Sequence, residues 1–382
     1  MNDAEVPPGG DQSSLRHLNT SRVLHLLYDG VPLTINALSR VTGLSRPTVR
    51  GIVTTLLDAG LLKPDGQDAV RTGGRPAQRY AFDRNAGRLA GLRFDVDGVW
   101  ARVTDLAGES AVTAHVALPA DTAPQQRVDA AATLVRAQLP TPGTPLWAVG
   151  AGTPGIVDSA GTVRLSVAIP EWSGTELTRE LGERLGCPAM TAKDTNLAAL
   201  AEHRVGAAQG TPDILYVQMG SRLGVGVLVD GLPFTGRSGA AGEIGRHPEL
   251  GWQDAPAKLF AASGSARDSA EDAGALAFAR AAHGDPEARA AVDAYARALA
   301  DGIGAMVLAV DPRLIVLGGG LAKAGTVVLD PIRRRLAEIC YEAPPLALTA
   351  LTDDVVTVGG VEAARDLVRG GLRVTVDQAL SS

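Results

Sequence analysis

Two β-hairpin patterns of the same design lie more than a hundred residues apart, and they constrain the fold of most of the chain. In residues 89–104, two apolar stretches flank the turn Asp97-Gly98; in residues 214–229, two apolar stretches flank a glycine-containing turn. Apolar stretches of this length on both sides of a turn are typical of β-hairpins. Because each hairpin opens a segment of similar length, we infer an internal duplication with two lobes and a cleft between them.

Alanine-rich helical segments separate the strand patterns. They are predicted at residues 127–139, 196–208 and 289–308. Strands that alternate with helices indicate mixed or parallel sheets covered by helices, which is an α/β fold. The 382 residues, 45% of them hydrophobic, exceed one ordinary core and predict two or three domains.

Residues 14–84 carry a different pattern, in which three short helices precede a hairpin. Thr34 is predicted to cap the second helix, Gly43 to end it, and Ser45 to cap a third helix with Pro47 in its first turn. The residues expected to face the core of these helices are Val23, Leu26, Leu27, Ile35, Leu38, Val41, Val49, Ile52, Val53 and Leu56. This arrangement predicts a winged helix-turn-helix.

The other face of the third helix carries Arg46, Thr48, Arg50 and Thr54. In the major groove of DNA, Arg can bond guanine, and Thr can meet a phosphate or a thymine methyl group. We therefore assign Arg46, Thr48 and Arg50 to the contact with double-stranded DNA.

The hairpin that follows the third helix is predicted to form the wing, with its turn at Asp65-Gly66. Its far limb is glycine-rich, extended and cationic. A thin basic segment of this kind can lie in a narrow minor groove. Arg71 and Arg75 are therefore also assigned to DNA.

Positive charge is concentrated in this N-terminal region. Residues 15–84 contain ten Lys and Arg against five Asp and Glu, whereas the whole chain has a net charge of −6. Affinity for phosphates is thus expected at one end of the protein. The alternative is a solvated three-helix domain without a DNA-binding role, which the agreement of helix spacing, hairpin and charge disfavours.

The remaining composition narrows the class of protein. The sequence has no apolar run of transmembrane length, and its polar first residues are unlike a signal peptide, so we expect a cytoplasmic protein without a membrane partner. Cys187 and Cys340 are single and far apart, which predicts neither a disulfide nor a structural zinc site.

Four motifs resemble those of the ROK family (repressors, open reading frames, kinases): residues 150–158 (GAGTPGIVD), 193–202 (KDTNLAALAE), 239–245 (GAAGEIG) and 315–320 (IVLGGG). The resemblance implies a winged helix-turn-helix followed by two ribonuclease-H-like lobes of the actin and hexokinase type. On this basis the chain divides into a flexible N-terminus (1–13), a winged helix-turn-helix domain (14–84), a first lobe (85–200, with a C-terminal helix at 360–382) and a second lobe (201–359).

In kinases of this family, an Asp of the second motif takes a proton from the sugar hydroxyl, and it corresponds to Asp194. Such a base must be ionised and close to the hydroxyl, with neighbouring donors that hold the sugar. Because those neighbours are missing here, a helix cap ahead of Asn196 is the favoured interpretation of Asp194. No catalytic residue is assigned.

Several positions depart from the sugar site of the family. Ala168 and Lys193 stand where the family has asparagines that pair with sugar hydroxyls, and Leu259 stands where it has a Glu. The loop after Gly245 lacks the cysteines of the family's zinc site. His247 therefore has no co-ligands, and we expect no metal.

The nucleotide-binding turns are altered as well. Asp97 adds negative charge to the first phosphate turn, Val99 removes a hydroxyl, and Arg222 replaces a glycine in the second turn. The glycines at 318–320 match the family, but a glycine-rich strand-to-helix turn needs no nucleotide to explain it. We therefore expect no cofactor and no kinase activity.

Two functions remain under consideration. The first is a transcriptional regulator, a repressor of sugar-related genes, that binds an inverted-repeat operator as a homodimer or tetramer. The second is an ATP-dependent sugar kinase with an added DNA-binding module.

The residues expected to bind an effector are Lys193, Asp194, Glu243, Arg246 and His247. Together with Arg222, the cations among them suit a sugar phosphate or a sugar acid as well as a neutral sugar. Equally, these cations can pair with Asp97, Glu171 or Glu243 and close an empty site, and the sequence leaves both interpretations open.

Overall fold

The computed structural model describes residues 12–67, 76–263, 270–351 and 354–381. Its N-terminal part consists of α1 (Gln12–Tyr28), β1 (Leu33–Thr34), α2 (Ile35–Thr42), α3 (Arg46–Asp58), β2 (Leu62–Gln67) and β3 (Gln78–Phe82). The three strands form a sheet in the order β1-β3-β2. Three helices with a terminal hairpin give the predicted winged helix-turn-helix.

Local sequence explains where these helices begin and end. The Thr34 hydroxyl accepts a hydrogen bond from the backbone N–H of Ala37 at 3.2 Å, and the Ser45 hydroxyl accepts one from Thr48 at 3.3 Å. Gly43 ends α2 with a φ of 72°, a conformation that glycine adopts without strain. All three predicted boundary residues are confirmed.

The predicted core of the first two helices needs two corrections. Val41 is 58% exposed, and Thr42 is buried in its place, with its hydroxyl donating to the carbonyl of Leu38 at 2.6 Å. In α1, Leu24 is fully buried, whereas Leu26 is only partly buried.

The predicted wing turn at Asp65-Gly66 is wrong. Both residues lie inside β2, which continues to Gln67 and pairs there with Gln78. The pairing register shifts next to Gly66, whose φ is 68°, so the glycine serves a β-bulge and not a hairpin turn.

The rest of the chain forms two lobes. The first contains β4 (Arg88–Asp95), β5 (Gly98–Thr104), β6 (Val112–Ala117), α4 (Pro124–Ala137), β7 (Leu146–Thr153), β8 (Ile156–Val157), β9 (Val163–Leu165), α5 (Leu177–Leu185), β10 (Ala189–Lys193) and α6 (Asp194–Val205). The second contains β11 (Ile214–Gln218), β12 (Gly224–Val229), β13 (Leu232–Pro233), α7 (Ala255–Ala261), α8 (Ala270–Ala282), α9 (Pro286–Val310), β14 (Leu314–Gly318), α10 (Thr326–Ile339) and β15 (Leu346–Leu348). The chain then returns to the first lobe with α11 (Val355–Ser381).

The two lobes have the same sheet topology. Their strand orders are β10-β7-β4-β5-β6 and β13-β12-β11-β14-β15. In each sheet, three strands form an antiparallel meander. A fourth strand pairs in parallel with the first strand of the meander, and a fifth pairs in parallel with the fourth. The predicted duplication and the mixed, helix-covered sheets are confirmed.

The long helix α11 packs directly on the sheet of the first lobe. It begins at Val355, ahead of the predicted residue 360. Two strand glycines allow this contact: a Cβ atom at Gly91 would lie 1.9 Å from the Thr357 carbonyl oxygen, and one at Gly150 would lie 2.1 Å from that of Gly360. Helix and strands thus meet backbone to backbone.

The winged helix-turn-helix shares a hydrophobic core with the first lobe and α11. One buried cluster includes Leu56 of α3, Leu89 of β4 and Leu372 of α11. The Arg369 guanidinium on α11 bonds both carboxylate oxygens of Asp29 at 2.7–3.2 Å. The N-terminal region is therefore attached to the lobes through packing and an ion pair. Among the described helices, none combines the length and apolar character needed to span a membrane.

Candidate functional site

The exposed face of α3 forms the first candidate site. Arg46, Thr48, Arg50 and Thr54 are all exposed, while the four predicted core residues of this helix are buried on its other face. A shallow surface groove is lined by Arg46, Pro47, Arg50, Gly51 and Thr54. Two guanidinium groups thus stand free of the core at the start of the helix, the geometry that major-groove readout uses.

Thr48, Arg71 and Arg75 differ from the two arginines of α3. The Thr48 hydroxyl lies 2.7 Å from that of Ser45, so it takes part in the helix cap. Arg71 and Arg75 lie outside the described residues, and their assignment to DNA stays a sequence prediction.

The second candidate site is a cavity of about 920 Å³ between the lobes. Four of the five predicted effector-binding residues line it: Lys193, Asp194, Glu243 and Arg246. The fifth, His247, is exposed beside the cavity and is not among its lining residues.

Two ion pairs cross this cleft. Lys193, at the end of β10, pairs with Glu243 of the second lobe, and only 6% of the lysine side chain is exposed. Arg222, in the turn between β11 and β12, pairs with Asp95 at the end of β4. Both cations are therefore held by carboxylates of the chain itself, and each pair joins one lobe to the other.

Asp194 lies at the start of α6 and faces the same cavity. The expected helix cap is wrong in detail: Lys193 occupies the cap position, and Asp194 is the first helical residue, accepting a bond from the N–H of Thr195 at 2.7 Å. Burial raises the pKa of Asp194 to about 6, against the opposing effect of the Lys193 cation, and the Asp95 carboxylate adds to the rise.

A column of stacked side chains, two of which, Arg93 and Trp100, line the cavity, was not foreseen. The Arg93 guanidinium lies over the Trp100 ring, 3.9 Å from its centroid, and the His115 ring stacks on Trp100 at 4.4 Å. Arg93 and Trp100 are direct partners on β4 and β5. Because side chains alternate between the two faces of a strand, Arg93 lies on the same face as Asp95. This alternation was the sequence signal that could have placed Arg93 at the cleft.

Sequence reasoning also missed Arg127. Its side chain bonds the turn after β4, which corresponds to the first phosphate turn of the family. This side chain is fully buried, and its nitrogens lie within 3.2 Å of five carbonyl oxygens, including those of Asp95 and Val96. Desolvation lowers the pKa of the guanidinium, and the Asp95 and Asp97 carboxylates oppose the change. Arg127 thus fixes the loop that carries Asp95.

The altered family positions fall into two groups. Ala168 lines the cavity, whereas Leu259 is buried in the core of the second lobe. Gly318 packs against the Tyr216 side chain and Gly319 against Met219, so protein atoms account for these glycines.

In the part of the chain that the structure describes, no group of three or more His, Cys, Asp or Glu side chains is placed to hold a metal ion.

Two family models match the chain. Residues 90–256 and 260–368 match the model of the ROK family, and residues 17–69 match that of the MarR family. A crystal structure described as a ROK family transcriptional regulator, homolog of the E. coli MLC protein, covers 96% of this chain and all of its own, with a TM-score of 0.75 and 20% identity. That likeness shows the fold.

Two curated relatives illustrate the range of the similarity. The xylose repressor of Bacillus subtilis is 26% identical over 238 residues, which are 62% of this chain and 61% of the repressor. The glucokinase of Thermotoga maritima is 27% identical over 249 residues, which are 58% of this chain and 78% of the kinase. The chain thus matches about three fifths of the repressor's length.

Proposed function

Since the chain belongs to the ROK family, we propose that it is a sequence-specific DNA-binding repressor of carbohydrate-related genes. The kinase-like lobes act as a non-catalytic effector domain. The observation that carries the proposal is the exposed Arg46–Arg50 face of α3 on a winged helix-turn-helix that is packed against these lobes. The similarity to the xylose repressor supports the carbohydrate connection.

The altered cleft supports the absence of catalysis. Arg222 and Asp95 belong to the two turns that would face nucleotide phosphates, and they pair with each other instead. Lys193 is buried against Glu243, where it occupies a carboxylate that would otherwise meet sugar hydroxyls. Both contacts remove partners that phosphoryl transfer to a sugar requires.

Effector control follows from the two-lobed design. A small carbohydrate or carbohydrate derivative in the cleft changes how the lobes close. The protein acts as a homodimer or tetramer, and closure alters the spacing of its α3 helices on an inverted-repeat operator in double-stranded DNA.

A kinase with an added DNA-binding module is the second candidate. One observation favours it: the raised pKa of Asp194, about 6, is suited to a general base near neutral pH. The similarity to a glucokinase points in the same direction.

The test is selection of random duplex DNA on the full-length protein, with Arg46→Ala and Arg50→Ala as variants. We expect the wild type to enrich an inverted repeat, and each variant to lose about 1–3 kcal/mol of discrimination at its base position. Arg333→Ala is the matched control, because this arginine is also exposed but lies on α10 in the second lobe.

Two outcomes would contradict the proposal. One is that no sequence is enriched at moderate salt; the other is that the Arg333 control loses the operator as the α3 variants do. A kinase is tested in parallel by ATP turnover with a sugar panel. Turnover that Asp194→Asn abolishes would establish the second candidate.

A further inference from the structure

One wall of the cleft cavity is apolar and open to solvent. Leu165 and Val167 both line the cavity, yet they are 37% and 79% exposed, and Ser166 between them is buried. This alternation places the two apolar side chains on one side of the chain. Large exposed apolar side chains inside a concave site mark a surface that a ligand covers.

The neighbouring lining residues of the first lobe continue this wall. Ile156 pairs with Leu165 in the β8–β9 hairpin, and Pro154 and Ala168 complete the surface. None of these side chains carries a hydrogen-bonding atom. A sugar hydroxyl against this wall would lose its bonds to water without replacement, which disfavours a fully hydroxylated ligand there.

Polar groups line other parts of the same cavity, namely Asp194, Glu243 and Lys193. The site is thus amphiphilic. Its volume of about 920 Å³ is near the upper end of the range for pockets that bind drug-sized molecules, which leaves room beyond a single sugar ring.

We propose that the cavity binds a carbohydrate with an apolar substituent, such as an aryl or alkyl glycoside. The sugar hydroxyls bond Asp194, and the substituent covers Leu165 and Val167. This inference rests on the proposed role of the cleft as an effector site, and it specifies the chemical class of the effector.

The test is calorimetric titration of the full-length protein, without DNA, with the phenyl β-glycosides of glucose, galactose and xylose and with the three free sugars. We expect at least one glycoside to bind about tenfold or more tightly than its free sugar, the minimum worth of a small apolar group in a matching pocket. Val167→Asn and Leu165→Asn should bring the affinity for that glycoside down towards that of the free sugar.

Control measurements separate this result from misfolding. Both positions are solvent-exposed, so the variants should melt at the wild-type temperature. Val112→Asn changes an exposed valine of β6 that does not line the cavity, and it should leave binding unchanged.

The proposal is overturned if no glycoside of the panel binds, if a free sugar binds as tightly as its glycoside, or if the two wall variants bind like the wild type. These readouts do not involve DNA. Failure to select an operator would therefore count against the repressor and not against this ligand class.

Discussion

Asp194 is the residue whose charge should make stability depend on pH. Burial raises its pKa from 3.8 to about 6, so between these values the folded protein binds a proton more tightly than the unfolded chain. Its stabilising contribution is present below about pH 4 and is lost as the pH rises through 6. At pH 7.5 we expect Asp194→Asn to raise the free energy of unfolding by on the order of 1–2 kcal/mol, less than the full shift because the residue is partly exposed.

Urea denaturation at pH 4.5 and 7.5 measures this effect. The difference between variant and wild type should shrink at the lower pH, where the wild-type carboxyl is protonated. Asp254→Asn, at an exposed aspartate of the second lobe, is the control for the removal of one carboxylate. A stability difference that is the same at both pH values would argue against a raised pKa at Asp194.

At the scale of helices and strands, local sequence predicted the boundaries of α2 and the start of α3, because caps and turns are made by neighbouring residues. Thr34, Gly43 and Ser45 each bond a backbone group only a few residues away in the sequence. The wing turn failed for a physical reason: a glycine with positive φ suits a bulge as well as a turn, and only the pairing strand distinguishes them. Gly66 is such a residue.

The close packing of α11 on β4 leads to a prediction about stability. An Ala at Gly91 would place its Cβ 1.9 Å from the Thr357 carbonyl oxygen, so α11 must shift away from β4. We expect Gly91→Ala to lower the free energy of unfolding by about 1–3 kcal/mol or more, as measured by urea denaturation. Gly370→Ala, in α11 itself, is the control, since nothing lies within 4 Å of a Cβ atom built there. It should raise the free energy of unfolding by roughly 0.5–1 kcal/mol. If the two substitutions changed the free energy of unfolding equally, close packing of α11 on β4 at Gly91 would be excluded.

For the whole molecule, sequence reasoning gave the duplication and, as one of two open interpretations, a pairing of the cleft cations with Glu243, which Lys193 makes; it did not give the other contacts that join the parts. The two hairpins were visible because each is a local pattern. The Asp29–Arg369 pair was not, since its partners lie 340 residues apart in the sequence and meet only through tertiary folding. The Asp95–Arg222 pair was missed for the same reason, although Arg222 had been singled out by its unusual position.

The Asp95–Arg222 pair makes a prediction about how the lobes move. Because it joins the lobes across the cleft but is partly exposed, it should favour the closed form only modestly, by up to about fivefold in the ratio of closed to open molecules. Spin labels at the exposed positions Thr113 and Glu338 of a variant without its two native cysteines would report the interlobe distance. Asp95→Arg or Arg222→Asp alone should increase the population at long distance, because each places like charges opposite each other.

The double variant Asp95→Arg/Arg222→Asp restores opposite charges and should return the distance distribution towards that of the wild type. Arg313→Asp controls for the change in net charge, since this arginine pairs with Asp213 inside the second lobe. If the double variant stays as open as the single ones, the pair does not hold the lobes together. Because the winged helix-turn-helix is packed on the first lobe, restored closure should also restore operator affinity in the same double variant.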